Sequence, residues 1–374
     1  MQTTTWRSLR LGELCDLQQG LCINKKSKHL LVEKSDLPLL RITDLLNDTQ
    51  KQFIDPNLVS PQFIADDDSL VYTRTGQVGH VFKDIHGVVY NNCFKIKPNA
   101  LITKDYLYYL LKQSWFLEKV LNIASKSAQK DLTHNSFKSI VIQIPDLAVQ
   151  EEIGQKLSSL DAAIKKNTEL MNLISNWIQE EFIDIANNCE NSPSILNDVA
   201  ERINIKYDEE LHSGLPLVDL ATMDSKSIFI RSFKESDALK SSRILFTEGD
   251  VLFSSIRCYL HKVVVVPFDG ITNVSAFVIR SKNDVLKSWV KAFLFNDDTV
   301  LWASSKSNGT KMPTIDWGLF STIPIVIPDD VQLDAFNQLS NPGFALISNL
   351  SKQNMILEQM KQLEILKHFS ESTN

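Results

Sequence analysis

The sequence predicts an α+β protein: two similar domains in tandem, separated and joined by two long helices that pair as an antiparallel coiled coil, the halves being related by a pseudo-twofold. Three observations predict it. Short phrases recur in the same order roughly 180 residues apart, as a duplicated unit would repeat them. A segment of about 40 residues near mid-chain has no proline and carries apolar residues at alternating spacings of four and three. The C-terminal segment repeats that spacing.

The chain of 374 residues is 43% hydrophobic and 22% charged, which suits two or more folded domains. No apolar run reaches the roughly 18 residues of a membrane span, so none is expected. Met1–Arg7 lacks the basic-then-apolar pattern of a signal peptide. The five cysteines, at 15, 22, 93, 189 and 258, form no CxxC and are odd in number. Reduced thiols in a cytoplasmic protein are the expectation, with no metal site and no cofactor. The net charge of −6 is uneven: residues 1–146 are net +3 and residues 147–190 net −5.

The repeat is read from four pairs of phrases. Leu37-Pro38-Leu39-Leu40 matches Leu215-Pro216-Leu217-Val218, and Asp68-Ser69-Leu70-Val71-Tyr72 matches Asp250-Val251-Leu252-Phe253-Ser254. Gly87–Asn91 matches Gly270–Val274, and Ile144-Pro145-Asp146 returns as Ile327-Pro328-Asp329. Each copy opens with short β-rich runs: Leu39–Ile42, Leu70–Thr73 and Gly87–Ile96, then Leu215–Leu220, Asp250–Ser255, Val263–Val266 and Ser275–Ile279. They are β-branched or aromatic and bounded by Gly, Pro, Asn and Asp. A helical stretch follows, Lys104–Leu121 or Leu286–Trp302. A Ser/Lys-rich loop and a last strand, Ser139–Ile144 or Thr322–Ile327, close the copy.

Asp146 is placed to cap the first long helix, with Glu151 and Glu152 at its positive end. Ile153, Leu157, Leu160, Ile164, Met171, Ile174, Ile178 and Ile185 mark a seam, with Asn167 at a polar seam position. Such a helix is ~60 Å long, more than one domain core needs. Its expected partner starts after a turn at Asn341-Pro342-Gly343 and uses Leu346, Leu350, Gln353, Leu357 and Met360. A second register uses Ile356, Met360 and Leu363. Asn167 facing Gln353 or Asn354 fixes the alignment. The competing reading is two unconnected amphipathic helices, each packed on its own domain. The expected domains are residues 1–146 and 191–329, with spacers 147–190 and 330–374.

With these residues in view, the chain resembles the specificity (DNA-recognition) subunits of type I restriction-modification systems. The resemblance rests on the layout and on local phrases. Ile144-Pro145-Asp146-Leu147-Ala148-Val149-Gln150-Glu151-Glu152-Ile153 is similar to that family's entry to its spacer helix. Leu70–Gly79 is similar to its strand and glycine turn; the second copy, Ser254–Lys262, has lost both glycines. The resemblance implies that each domain is a target-recognition domain reading one half of a split site on double-stranded DNA. It implies that the helices bind methyltransferase subunits, and that these, with a restriction/translocase subunit, carry the chemistry. The chain itself is then not an enzyme but a part of phage defence.

Base edges are read by side chains in the grooves, while basic and amide groups hold phosphates. The expected DNA contacts are Lys126, Gln129 and Lys130, and their counterparts Lys306, Asn308 and Lys311. To these are added Arg74 and Gln77 in the glycine turn, Arg257, Tyr259, His261 and Lys262 in its second copy, and Lys25 and Lys26. Each competes with a plainer role as surface loop or hairpin turn. Glu151, Glu152, Glu169 and Glu180, too acidic for phosphate, are the expected subunit interface.

Catalytic readings fail on the residues. Asn341-Pro342-Gly343-Phe344 lacks the second proline of an amino-methyltransferase motif, and no glycine-rich cofactor loop accompanies it. Pro145-Asp146 and Pro328-Asp329 lack the acidic-x-Lys element of a PD-(D/E)xK nuclease. There is no ATP-binding P-loop, and seven histidines are scattered without ligand spacing. The rivals are a stand-alone methyltransferase or nuclease, and a two-domain scaffold that binds protein or glycan.

Overall fold

The computed structural model describes residues 6–125, 131–189, 193–208, 212, 214–235 and 242–370. The chain divides into two compact units, Met1–Asp161 with Met360–Asn374, and Ala162–Gln359.

In the first unit a four-stranded antiparallel sheet runs in the order Cys15–Gln19, Cys93–Pro98, Leu70–Thr73, Val81–Phe82. All four residues of Leu70–Thr73 are buried, as in a strand covered on both faces. A second sheet places Gly87–Val89 between Leu39–Leu40, parallel to it, and Ile64–Ala65, antiparallel. Arg7–Arg10 pairs with Val141–Ile144.

The second unit repeats these three sheets, while the first also pairs Leu31–Val32 with Phe53–Ile54, a pairing with no counterpart among the described strands of the second. Its four-stranded order is Ala200–Ile203, Ala276–Ser281, Val251–Ser254, Val263–Val265. Gly270–Asn273 lies between Leu217–Val218, again parallel, and Arg243–Phe246, again antiparallel. Pro193–Ile195 pairs with Pro324–Val326. The cores repeat as well. Tyr72 packs on Phe137 at 5.1 Å between centroids, and Phe94 lies 5.9 Å from Phe137. The corresponding Phe253 and Phe277 stand 4.5 and 5.7 Å from Phe320. Each such buried ring contributes about 1.5–3 kcal/mol through area removed from water.

Several elements differ from expectation. Leu39–Ile42 is a strand only to Leu40; a helix, Ile42–Asn47, begins where the Arg41 Nε can donate to Asp44 Oδ2 at 2.6 Å. Lys104–Leu121 is two helices, Lys104–Leu111 and Ser114–Ala124, parted at extended Gln113. In the second copy Lys287–Phe295 and Asp297–Lys306 part at Asn296, whose side chain caps the second by accepting from Asp298 N at 2.9 Å.

The long helices are Leu147–Asn188 and Asp330–Phe369, and each contributes to both units. The second does not start after Asn341-Pro342-Gly343; Pro342 lies inside it. Gly343 is what the packing requires there, because a Cβ would stand 2.9 Å from Ile178 Cδ1. The buried seam of this helix is also shifted by one residue. In the second unit it is Ser340, Phe344, Ile347, Ser351 and Asn354, at spacings of four and three, while Leu346 is 41% exposed. Two serines and an asparagine hid that stripe from a hydrophobicity reading. Ser351 is there because its hydroxyl donates to the carbonyl of Ile230 at 2.7 Å.

Candidate nucleic-acid interface

In the second unit the chain brings two distant candidate segments side by side. The strand Val251–Ser254 runs into a turn in which Arg257 adopts a left-handed backbone, φ 49°. Ile256 bridges Thr314, the Arg257 N–H donates to Pro313 O at 2.7 Å, and Ile315 N–H donates to Ser255 O at 2.9 Å. The loop after helix Asp297–Lys306 is thereby laid along this turn. Asn308 and Thr314 close it by exchanging backbone hydrogen bonds of 2.8 and 2.9 Å. Gly309, at φ +108°, makes the reversal that other residues resist.

Arg257, Tyr259, Lys306, Asn308 and Lys311 are all exposed on these two joined segments. Three cations, an amide and a phenol thus share one surface anchored by backbone hydrogen bonds. The patch can hold phosphates and offer Asn308 and Arg257 to base edges. Met312, 57% exposed at the loop tip, was not singled out in the sequence; it supplies apolar surface of the kind that meets a thymine methyl.

His261 and Lys262 do not join this patch. His261 is only 5% exposed. Its Nδ1 lies 3.0 Å from Asp297 Oδ1 and its Nε2 2.9 Å from Phe295 O, so the ring ties the turn to the helix pair beneath. Burial pulls its imidazole below the ordinary value, with the Asp297 carboxylate opposing. Lys262 donates its ammonium to Leu220 O.

The first unit uses the same construction. Thr75 bridges Asp131, and Leu132 N–H donates to Arg74 O at 3.1 Å, joining the glycine turn to the loop after helix Ser114–Ala124. Lys126, Gln129 and Lys130 lie outside the described residues. Gln77 is exposed on the turn, whose Gly76 takes φ +78° in open space. Arg74 instead points inward. Its Nη2 pairs with Asp131 Oδ2 at 2.5 Å, Nε donates to Leu132 O at 3.2 Å and Nη1 to Asn91 O at 3.3 Å. Its guanidinium also lies 5.4 Å from the centre of the Phe94 ring. The arginine is spent on holding the two segments together. Lys25 and Lys26 are exposed in a separate turn, where the Asn24 side chain accepts from Lys26 N at 2.8 Å.

The four glutamates are exposed on Leu147–Asn188, Glu169 3.9 Å from Lys165. The sequence reading missed their apolar neighbours in the second unit. Leu170, Leu173 and Trp177 are 42%, 67% and 53% exposed, at spacings that put them on one helix face near Glu169 and Glu180. No helix among the described residues is long and apolar enough to cross a membrane.

Residues 3–175 match the family model described as the type I restriction modification DNA specificity domain. The chain is 23% identical over 393 residues to the EcoDI type I restriction enzyme specificity subunit of Escherichia coli, covering 93% of this chain and 83% of that protein. It is 23% identical to the MjaIX specificity subunit of Methanocaldococcus jannaschii, over 78% of this chain and 74% of that protein. A solved type I restriction-modification S subunit from M. genitalium shares the fold, with a TM-score of 0.64 at 12% identity, covering 99% of this chain and 98% of that one.

Proposed function

We propose that this chain, which belongs to the type I restriction-modification DNA specificity family, is the non-catalytic subunit that selects the DNA sequence, each copy reading one half of a bipartite site. The observation that carries the reading is the repeated junction of turn and loop. Twice the chain joins the turn after its central strand to the loop after its helix pair, at Thr75–Asp131 and at Ile256–Thr314. Twice the junction presents exposed amide-bearing side chains, Gln77 and Asn308. Because the two copies differ in sequence, the two half-sites differ.

Within this reading residues 1–146 and 191–329 are the readers, and 147–190 and 330–374 the spacers. The helices dock the methyltransferase subunits, with Glu151, Glu152, Glu169 and Glu180 on the docking surface. Leu170, Leu173 and Trp177 favour that role, since exposed apolar side chains aligned on a helix gain from a covering partner. The restriction/translocase subunit joins the assembly through the methyltransferase, and the complex works in the cytoplasm.

The test is duplex binding by the chain assembled with its methyltransferase subunits. Binding is expected to be selective for one bipartite sequence and to weaken steeply with salt. Equal affinity for all duplexes at every salt concentration rejects the reading.

A further inference from the structure

Away from the joined loops, the second unit holds a cavity of about 640 Å³. Its wall includes Gly249, Val251, Val265, Val290, Lys291 and Phe344. That volume falls in the range of sites for small organic ligands. The half-buried Lys291 reaches into it with its ammonium 5.3 Å from the centre of the Phe344 ring. Among the described residues no carboxylate or carbonyl receives that ammonium.

The other charges on the wall are already matched. Asp250 takes Arg280 at 2.7 Å, Asp284 takes Lys287 at 2.6 Å, and Glu248 takes Lys352 at 2.7 Å. One positive charge is left over. Burial, and then the charge of Lys287, push the Lys291 ammonium below the ordinary lysine range, with the Asp250 and Glu248 carboxylates opposing.

The first copy is an internal control. Helices Lys104–Leu111 and Lys287–Phe295 start at equivalent positions, so Asp105 corresponds to Ser288 and Tyr108 to Lys291. In the first unit the cation is Lys83, 4.9 Å from the Tyr108 ring, and it is satisfied by Asp105 Oδ1 at 2.8 Å and Ser158 Oγ at 2.7 Å. The second copy keeps a cation over an aromatic ring but has a serine where the carboxylate stood. An open cavity lies beside this cation.

We propose that this cavity binds a small organic anion, its carboxylate or phosphoryl group paired with Lys291 Nζ and its apolar body against Phe344, Val251 and Val290. The site is separate from the DNA-reading loops, so the inference stands apart from the proposed function.

The test uses the full chain with phenyl phosphate and benzoate as probes, followed by calorimetric titration and thermal melting. Saturable binding with Kd below about a millimolar and a raised melting temperature are expected, the tighter probe naming the headgroup. Lys291→Met is expected to weaken binding at least about tenfold. Lys291→Tyr, which installs the residue of the first copy, is expected to fold and to lose binding likewise. Absence of saturable binding to the parent chain, or equal binding by both variants, overturns the proposal.

Discussion

Asn167 donates its side-chain amide to Asn354 Oδ1 at 2.9 Å and to Gln353 Oε1 at 3.1 Å, joining the two long helices within the second unit. Asn354 in turn reaches Ile164 O and Thr168 Oγ1, both at 3.3 Å. The layer is a closed polar step bounded by buried Met171 and Met355, in a seam that also buries Ser175 and Ser351. Such a step costs stability relative to leucine and fixes register in return. Asn354→Ala removes the partner of a half-buried amide. It is expected to cost about 1–2 kcal/mol, read from the urea midpoint of the assembled chain. No measurable change would mean that Gln353 alone satisfies Asn167.

The seam shows how far sequence carried. Asn167 was legible because the first helix is regular and its apolar residues dominate the heptad. The partner stripe was misplaced by one residue because it is written in Ser340, Ser351 and Asn354, which report packing space and hydrogen bonds rather than hydrophobicity. Pro342 reads as a helix stop; it is carried inside a helix where Gly343 packs against Ile178. The duplicated sheets were legible from ordered phrases. The inward turn of Arg74 was not, since its acceptors Asp131, Leu132 and Asn91 lie far off along the chain.

The repeated cores supply a second test. Tyr72 is fully buried, and its hydroxyl is without a hydrogen-bond partner among the described residues. The same place in the second copy is Phe253. A buried hydroxyl with no partner costs roughly 1–3 kcal/mol. Tyr72→Phe is therefore expected to raise the melting temperature of the first unit. A fall in stability would reveal a partner for the hydroxyl.

Arg74 and Gln77, three residues apart, are expected to behave differently. Arg74→Ala leaves Asp131 without its 2.5 Å partner, while the Leu132–Arg74 backbone bond and the Thr75–Asp131 bond still tie the loop to the turn. Loss of about 1–3 kcal/mol of stability is expected for so enclosed a pair, with binding reduced for every duplex. Gln77→Ala leaves the turn intact, because Thr73 Oγ1 donates to the Gln77 backbone carbonyl, not to its side chain. It is expected to relax preference at one base pair of one half-site, worth about 1–3 kcal/mol. Thermal melting together with binding to a panel of single-base variants separates the two outcomes.

The proposed docking surface makes a prediction about assembly. Glu151, Glu152, Glu169 and Glu180 are exposed, so reversing them to lysine leaves packed residues untouched. Reversal of all four is expected to weaken methyltransferase binding, with the circular dichroism of the chain unchanged. Trp177→Ala, which removes an apolar side chain 53% exposed in the free chain, is expected to weaken it as well. Size-exclusion with light scattering reads both, and unchanged assembly in both variants would remove these helices from the interface.

The last prediction concerns the second reader. Lys311 and Asn308 lie on one loop, braced by the Asn308–Thr314 pair and laid against Arg257. A lysine–phosphate contact carries no sequence information. Lys311→Ala is expected to weaken all sequences alike and lower the salt slope by about one. Asn308→Ala is expected to keep the slope and relax one position in one half-site. The bracing that supports these residues lies wholly within the second unit, since Ile256, Thr314, Pro313 and Ser255 all belong to it. Replacing residues 191–329 by the matching segment of a relative therefore carries the loop together with its support. The exchange is expected to change one half-site of the methylated sequence and to leave the other as it was. Both half-sites changing, with the chimera still folded and assembled, would show that reading is shared between the copies and would end the two-reader account.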